Sequence, residues 1–375
     1  MLSGIHMTLM IGPAVPVPVS ADVLNALTAV EVTNTTDGPS GFRLQFTLPK
    51  KSPLEVLFLV AGGASVPLVR VVVAVTLNGA TEVLVDGVMT NHQYVPGSAG
   101  QGPTLTIIGE DLTRVMDYID FSGIPYPAMP AEARVALILA KYAAFGVIPM
   151  VIPSVLIDVP IPIQQIPRQQ GKDLAYVKQL AAEVGYVFYV EAGPTPGMSI
   201  AYWGPEIKVG TPQPALSYDM DVFSNVESLS FTYNAERKSL PVVLIQEPIS
   251  KTIIPIPVPP ITPLNPPLGA VMPIPKDIEF LDETSKYSPV RAALIGVAKA
   301  SKTADVVTGS GTLDVLRYGR ILKARKLVGV RGAGTAFDGL YYVRSVTHNL
   351  KRGSYTQSFS LGRNGLISTM GTVPA

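Results

Sequence analysis

The part of the sequence that most constrains the fold is residues 339–365, where two stretches of strand-forming composition flank a polar turn. In the second stretch apolar and hydroxyl side chains alternate, which places them on opposite faces of a strand. Tyr355, Phe359 and Leu361 are expected to face a core, with Gln357 at the edge of that core. The opposite face would carry four small hydroxyl side chains: Ser354, Thr356, Ser358 and Ser360.

The same alternation occurs near residue 42 and again from Val226 onward, and it predicts further half-buried strands. In the first segment four apolar residues alternate with polar ones: Phe42, Leu44, Phe46 and Leu48. In the second, apolar residues alternate with three hydroxyl residues: Ser228, Ser230 and Thr232. Both segments therefore repeat the arrangement of the C-terminal hairpin, with one apolar face and one polar face.

The Asn78-Gly79 pair predicts a hairpin between strands at 69–77 and 82–88, because both residues tolerate positive φ. A weak internal repeat surrounds His92 and His348, each of which is followed by a loop and an alternating strand. The repeat predicts two β units built on one plan, and a duplicated barrel is its simplest interpretation.

Four helices are predicted between these strands. Asp111 is a candidate N-cap for the first, whose apolar stripe would be Leu112, Val115, Met116 and Ile119. Segments 131–145 and 173–184 are each followed by a glycine, Gly146 and Gly185, as is common after a helix C-terminus. The fourth would begin at Ser288-Pro289, reach about residue 300 and face inward with three residues: Val290, Leu294 and Val297.

Two stretches rich in proline, 147–167 and 253–275, are expected to be extended rather than helical. The later stretch is uncharged and long enough to resemble a membrane span by hydropathy. Its repeated prolines remove backbone donors and clash with the preceding turn, so it cannot form a regular transmembrane helix. We expect it to pack along a surface in an extended or polyproline-like conformation, without stable membrane insertion.

Composition limits the classes of function. Only 15% of residues are charged, against about 25% in typical domains, while 47% are apolar, so we expect apolar surface to be hidden in an obligate assembly. A net charge of +1 argues against a dedicated nucleic-acid binder. The absence of cysteine excludes disulfides and fits a reducing cytosol. The N-terminal segment resembles a signal peptide, but it lacks the basic residues that begin one, and its apolar run is interrupted by prolines.

Residues for catalysis are scarce, and the sequence predicts neither an enzyme nor a cofactor or metal site. The three histidines show no metal-binding spacing, and a structural or exposed role is expected for them. Glycine-rich segments lack the features of a phosphate-binding loop, and Ser310 lacks the turn that exposes a nucleophile. A glycosidase needs two acids that flank one bond, but the paired acids here are better explained as a helix cap or solvated loop residues: Glu110-Asp111, Asp219 with Asp221, and Asp282-Glu283.

Basic residues are most concentrated between residues 317 and 331. This basic cluster is either a solvated face or a contact for an acidic partner or neighbouring subunit, and the sequence leaves both interpretations open. Its members are Arg317, Arg320, Lys323 and Arg325, followed by Lys326 and Arg331.

Three segments together resemble the hub proteins of contractile tails, meaning phage tail proteins of the late control protein D type and the hub portion of the type VI secretion protein VgrG. The first is LTIIGEDLTRVMD at 105–117, and the second is KDLAYVKQLAAEVGYVFYV at 172–190. The third combines DGLYYVRSVTH at 338–348 with GSYTQSFSL at 353–361. The likeness extends over nearly the whole chain in the same order, whereas the proline-rich insert departs from the family pattern.

The resemblance implies an α+β, mainly β fold with two tube-type β-barrel domains and α/β insertions. It also implies a homotrimer whose six barrels form a pseudo-sixfold ring, with the hydroxyl positions of 228–232 and 354–360 facing the lumen or a neighbouring subunit. The expected function is a baseplate hub that connects a sixfold tail tube to a threefold spike and transmits force and cargo. The tube, a separate spike protein and other baseplate components would be partners, and assembly in the bacterial cytoplasm into a phage-like or extracellular injection particle is expected.

The expected division of the chain is a first barrel at 1–110, a mixed α/β insertion at 111–215, the start of a second barrel at 216–250, a proline-rich insert at 251–285, and a helix with the rest of the second barrel at 286–375. A secreted β-rich adhesin or carbohydrate-binding protein is the alternative, since apolar strands and few charges would also suit it. The single Trp203 and the uncharged N-terminal segment argue against that alternative.

Overall fold

A computed structural model describes residues 4–13, 15–48, 68–97, 102–154, 163, 166–218, 224–246, 252–259, 262–282, 284, 287 and 289–370. The fold is α+β and mainly β, as the sequence predicts. In the described part of the chain the helices are α1 (Ala21–Ala26), α2 (Ala131–Ala140), α3 (Asp173–Glu183), α4 (Pro289–Thr303) and α5 (Val315–Tyr318), with short 3-10 turns at Leu112–Asp117, Ala143–Phe145 and Ala235–Arg237.

The strands carry most of the structure. In chain order they are β1 (Ile5–Gly12), β2 (Val17–Pro18), β3 (Leu27–Thr35), β4 (Gly41–Thr47), β5 (Arg70–Leu77), β6 (Ala80–Val95), β7 (Thr104–Asp111), β8 (Val147–Val151), β9 (Val187–Ala192), β10 (Ser199–Gly204), β11 (Gln213–Ser217), β12 (Val226–Tyr233), β13 (Ser239–Gln246), β14 (Ile253–Pro257), β15 (Gly269–Val271), β16 (Asp277–Leu281), β17 (Val307–Asp314), β18 (Leu327–Arg331), β19 (Gly339–Lys351), β20 (Ser354–Arg363) and β21 (Leu366–Ser368).

One thirteen-stranded sheet joins the two halves of the sequence. Its strands follow the order β12-β17-β20-β19-β3-β4-β7-β6-β5-β1-β2, and β18 and β11 extend it beside β19. From β12 to β6, which we call the eight-strand section, every neighbouring pair is antiparallel. The pairing of β19 with β3 joins the C-terminal half of the sequence to the N-terminal half within this sheet.

The two halves of the eight-strand section follow one plan. Numbered by sequence, the strands of each half lie in the order first, second, fourth, third: β12-β17-β20-β19 in one half and β3-β4-β7-β6 in the other. The first pair of each half contains a register shift, at 226–228 and at 27–29. The last pair also contains one, at 343–345 and at 89–91. The duplication suggested by the sequence therefore has a counterpart in strand order and in the positions of the bulges.

The main core lies on one side of this section. Tyr355, Phe359 and Leu361 are buried there, which confirms their predicted orientation. Gln357 was expected at the edge of the core, and this expectation is wrong because the side chain is fully buried. Its amide accepts a hydrogen bond from the backbone N–H of Leu322 and donates to the carbonyl of the same residue, at 2.9 Å each, so burial leaves no polar atom unpaired.

The hairpin at Asn78-Gly79 is confirmed. Leu77 pairs with Ala80, so two residues form the whole loop. Asn78 has φ 51° and Gly79 has φ 80°, as a two-residue turn with positive φ at both positions requires.

The first two predicted helices differ from expectation in length. Asp111 caps its helix as predicted, accepting a hydrogen bond of 2.9 Å from the N–H of Thr113, but the helix is a single 3-10 segment that ends at Asp117. Ile119, expected on the buried stripe, therefore lies beyond the helix and is 60% exposed. The segment predicted at 131–145 is interrupted, since α2 ends at Ala140 and a separate 3-10 turn precedes Gly146.

Gly185 follows the end of α3 and lies against α4. The helix α3 forms where it was predicted, and Gly185 follows its C-terminus with φ 73°. Gly185 also touches α4, since a Cβ there would lie 2.5 Å from the carbonyl oxygen of Leu294. Close contact between these two helices therefore depends on the missing side chain.

α4 packs only partly as predicted, since Val297 packs against the core residues Val243, Ile245 and Val258. Ser288 lies outside the described residues, and Val290 is exposed rather than inward-facing. The buried face is instead formed by small residues, Ala292 and Ala300 with Gly296 between them. A Cβ on Gly296 would come within 2.7 Å of the side chains of both Val243 and Val258, so small residues permit the helix to approach the β14-β13-β16 sheet.

Two parts of the proline-rich stretch at 253–275 are extended, as predicted, but they form sheet rather than a free polyproline segment. β14 pairs with β13 and β15 pairs with β21. Of the stretch at 147–167, β8 is extended, and residues 155–162, 164 and 165 lie outside the described part. Among the described residues, every helix is too short or too polar to cross a bilayer.

Candidate functional site

A polar surface covers the side of the eight-strand section that faces away from the core. The seven hydroxyl residues singled out by sequence all lie on it, and we call it the hydroxyl face. Their cross-strand partners extend it into two rows, each of which crosses five neighbouring strands. One row is Ser230, Ser310, Ser360, Ser345 and Thr35; the other is Ser228, Thr312, Ser358, Thr347 and Thr33.

The hydroxyls in these rows bond mostly to one another. The oxygen atoms of Ser228 and Thr312 lie 2.8 Å apart, those of Ser230 and Ser310 3.0 Å apart. On the next strands Ser345 and Ser360 are separated by 2.7 Å, and Thr33 and Thr347 by 3.0 Å. Such cross-strand pairs stabilise a sheet by about 0.2–1 kcal/mol each. The result is a surface of short, neutral, mutually bonded side chains.

Charges on this surface are few and gather toward one end of the strands. Glu31 and Arg43 lie directly opposite each other on β3 and β4. Asp314 lies opposite Thr356, and Lys351 lies beyond it at the end of β19. Glu110 on β7, opposite Gly41, lies on the same face, so three acidic residues accompany two basic ones at these positions, while the ten residues of the two hydroxyl rows are uncharged.

The eight-strand section has an open edge on each side. In the described part of the chain, β12 pairs only with β17, and residues 90–95 of β6 pair only with β7. Open edges expose unpaired backbone N–H and C=O groups that can bind another strand. Large apolar or aromatic side chains flank both edges: Tyr94 and Val95 on β6, which are 41% and 49% exposed, and Tyr233 on β12, which is 39% exposed.

The basic cluster does not form one continuous patch. Arg317 and Arg320 are exposed, whereas the ammonium of Lys323 lies 2.6 Å from the carboxylate of Glu82. Arg325 donates to the carbonyl of Thr35 and lies over the ring of Tyr189, 4.2 Å from its centre. Lys323 and Arg325 thus stabilise the chain's own packing, and contact with a partner remains a prediction for Arg317 and Arg320.

His348 is buried inside the core. Its Nδ1 lies 2.8 Å from the hydroxyl of Tyr355 and 3.3 Å from the amide nitrogen of Gln357. Burial lowers the pKa of His348 to about 3, so the ring is neutral near pH 7. A structural role, as expected from the sequence, fits these contacts better than acid–base catalysis.

The acidic pairs provide no catalytic arrangement in the described residues. Asp111 caps a helix, and its burial raises the pKa of that carboxyl. Asp219, Asp221 and Glu283 lie outside the described part. No group of three or more potential metal ligands occurs among the residues described.

A polar cleft of about 390 Å³ lies between the insertion and the main sheet. Within it, Lys208 lies 3.8 Å from the carboxylates of both Glu206 and Asp305. Arg344 lies 3.7 Å from Asp305 and 3.0 Å from Asp37. The acidic groups of this cleft are paired with cations of the same chain, so we interpret the cleft as a junction between the insertion and the main sheet.

Sequence reasoning missed Arg363, which is fully buried. Its guanidinium donates to the backbone carbonyls of Ala336, Asp338 and Gly365 at 2.6–2.8 Å, and it lies over the ring of Tyr341. A signal was present, because Arg363 continues the core-facing positions of Phe359 and Leu361. A charged residue at such a position predicts a buried partner, although the partner itself cannot be identified from the alternation.

Solved structures of tail proteins have the same fold. A tail protein from Neisseria meningitidis has a TM-score of 0.61 over 97% of this chain and 98% of its own, at 12% identity. The 43 kDa tail protein of prophage MuSo2 from Shewanella oneidensis has a TM-score of 0.58 over 96% and 98%, at 13% identity. The fold is that of phage tail proteins.

A chain of the Francisella PdpA-VgrG complex is also similar, with a TM-score of 0.61 and 9% identity. The likeness covers 100% of the present chain and 60% of that chain, so the latter contains a large part without a counterpart here. No family model and no curated protein matches the sequence.

Proposed function

We propose that the chain is a non-enzymatic baseplate hub: three copies close into a ring between a sixfold tail tube and a threefold spike, and the ring passes force and cargo between them. The fold shared with tail proteins supports this proposal, as does the low charge content of the sequence. The observation that carries it is the pair of open edges on a section whose hydroxyl face bears few charges.

The even number of strands gives the two edge strands the directions that an antiparallel contact between copies needs. Seven successive antiparallel pairings separate β12 from β6, so the two edge strands run in opposite directions. The β6 edge of one copy and the β12 edge of the next can therefore form an antiparallel pair. Such a contact joins two different surfaces, and copies related by a closing rotation form a ring.

The β19–β3 pairing inside the chain provides the register for this contact. Alignment of the two halves by their bulges makes β6 equivalent to β19 and β12 equivalent to β3. Within the chain, Thr347 lies opposite Thr33 and His348 opposite Val32. The equivalent positions across two copies would bring Gln93 opposite Thr232 and Tyr94 opposite Phe231.

In the proposed ring the hydroxyl face lines the lumen. Short side chains that already bond to one another present few groups that would bind a passing chain, and the few charges of mixed sign give little electrostatic attraction. In that arrangement the core side of the section faces outward. The two barrel domains and the boundaries expected from the sequence belong to this proposal.

Cysteine cross-linking tests the ring because the chain has no native cysteine. The double variant Gln93→Cys with Thr232→Cys should form disulfide-linked trimers on mild oxidation, whereas each single variant should not. Gln93→Cys with Ser228→Cys, which is four residues out of register on the same face, is the matched control. A monomeric mass for the native protein together with no cross-linked product would contradict the proposal.

A further inference from the structure

A second feature lies at the tip of the β19–β20 hairpin, away from the open edges. A cavity of about 260 Å³ opens there between the hairpin, α1, β1 and β3. Its volume corresponds to roughly eight or nine water-sized groups. The interior is lined mainly by apolar side chains: Ile5, Met7, Leu24, Leu27, Val30 and Leu350.

The mouth of the cavity is cationic. Lys351 and Arg352 lie beside it, and no Asp or Glu is among its lining residues in the described part of the chain. Arg352 donates to the backbone carbonyl of Asn25, which holds the guanidinium at the opening between the hairpin tip and α1. Tyr355 also lines the interior, but its hydroxyl is bonded to His348.

We propose that this cavity binds an amphiphilic monoanion, an apolar chain or side chain that ends in a carboxylate. The apolar interior favours transfer of the hydrocarbon part from water. The two cations favour a negative group that remains at the solvent-exposed mouth, where its desolvation cost is small. A free aliphatic carboxylate and the C-terminal residue of a partner polypeptide share this chemistry. The site is formed within one copy, so it does not depend on ring closure.

Titration calorimetry of the full chain with decanoate tests the site, with decanol as the uncharged comparison. We expect decanoate to bind at least about threefold more tightly than decanol, because each exposed cation contributes modestly. A short peptide ending in leucine, with a free or an amidated carboxyl, distinguishes the two sources. Tighter binding of the free-acid peptide than of decanoate identifies a chain terminus as the ligand, and the reverse order identifies a free carboxylate.

Two variants separate the apolar and charged contributions. Leu24→Trp, on half-buried α1, should fill the cavity and abolish binding of both decanoate and decanol. The double variant Lys351→Gln with Arg352→Gln should weaken decanoate by about tenfold and leave decanol unchanged. Matched controls are Leu316→Trp on α5 and Lys276→Gln, both outside the cavity.

Thermal unfolding of each variant shows whether it is folded. Unchanged decanoate binding by a folded Leu24→Trp variant would overturn the proposal. Equal affinities for decanoate and decanol, or no binding of decanoate and of the free-acid peptide at millimolar concentration, would also overturn it.

Discussion

Arg70 and Asp86 form a buried, two-pronged ion pair between β5 and β6, with Nε–Oδ1 and Nη2–Oδ2 distances of 2.7 and 2.6 Å. Arg70 also donates to the carbonyl of Gly197 at 2.9 Å, and the hydroxyl of Ser199 donates to Asp86 at 3.1 Å. The pair therefore connects the main sheet to the β8-β10-β9 sheet of the insertion.

Removing one partner of this pair should be more damaging than removing both. Arg70→Met or Asp86→Leu alone is expected to lower the free energy of unfolding by about 3–5 kcal/mol, because each leaves a buried charge without its counterpart. The double variant should lose less than either single variant, because it leaves no buried charge without a counterpart. Urea denaturation measures all three, and additive losses would show that the two groups do not act as a pair.

Because of His348, the free energy of unfolding should fall as the pH becomes mildly acidic. Its pKa is about 3 in the folded chain and about 6.5 when unfolded, so the unfolded state binds more protons between these values. Stability is then complete above pH 6.5 and falls as pH decreases, by about 1.4 kcal/mol per unit from this residue. Urea denaturation from pH 7.5 to 5 should give a smaller decrease for His348→Gln than for the native chain, whereas exposed His6→Gln should follow the native curve. Parallel curves for His348→Gln and the native chain would contradict the assignment.

Alanine substitutions at Gly146 and Gly171 separate the cost of a strained backbone from that of a steric clash. Both have positive φ, 69° and 74°, but a Cβ on Gly146 would lie 2.1 Å from the carbonyl oxygen of Gly197, while nothing lies within 4 Å of one on Gly171. Gly171→Ala should cost about 1–2 kcal/mol from the left-handed conformation alone. Gly146→Ala should cost at least ~1 kcal/mol more, since β8 must move away from β10. Thermal unfolding compares the two, and equal losses would show that the chain accommodates the contact freely.

The hydroxyl face should tolerate substitution. Ser345→Ala and Ser360→Ala are each expected to lower the free energy of unfolding by less than ~1 kcal/mol, and the double-mutant coupling should be about 0.2–1 kcal/mol. Gln357→Leu on the opposite side of the same strand serves as contrast. It should cost about 1–3 kcal/mol because the buried N–H and carbonyl of Leu322 lose their partner. If the three single losses were equal, the two sides of β20 would not differ as described.

Alternation along single strands carried most of what the sequence could predict. It placed Tyr355, Phe359 and Leu361 in the core and the hydroxyls of β12 and β20 on the other side. The joining of these strands could not be predicted, because Ser310 pairs with Ser230, 80 residues away, and Thr347 pairs with Thr33, 314 residues away. Local patterns determine which side a residue faces, whereas register depends on distant partners.

The errors have a common physical cause. Gln357 is buried because its partner is the backbone of Leu322, which lies in a distant loop. In α4 the prediction placed the larger Val290 inward, yet Gly296 is buried because a neighbouring sheet requires close approach. In both cases packing against another element overrides the local preference.

The matched bulges also bear on how such a chain could have arisen. A polypeptide containing only one four-strand half would carry the same two edges, and six identical copies could then close the proposed ring. When two halves are fused, every second contact between halves lies within one chain, as the β19–β3 pairing does. The residues of that contact can then change independently of those that form the proposed contact between copies. One half could then acquire the insertion of α2 and α3, and the other α4 with its proline-rich sheet. In the proposed ring, gene fusion thus converts sixfold symmetry into threefold without altering the sheet that lines the channel.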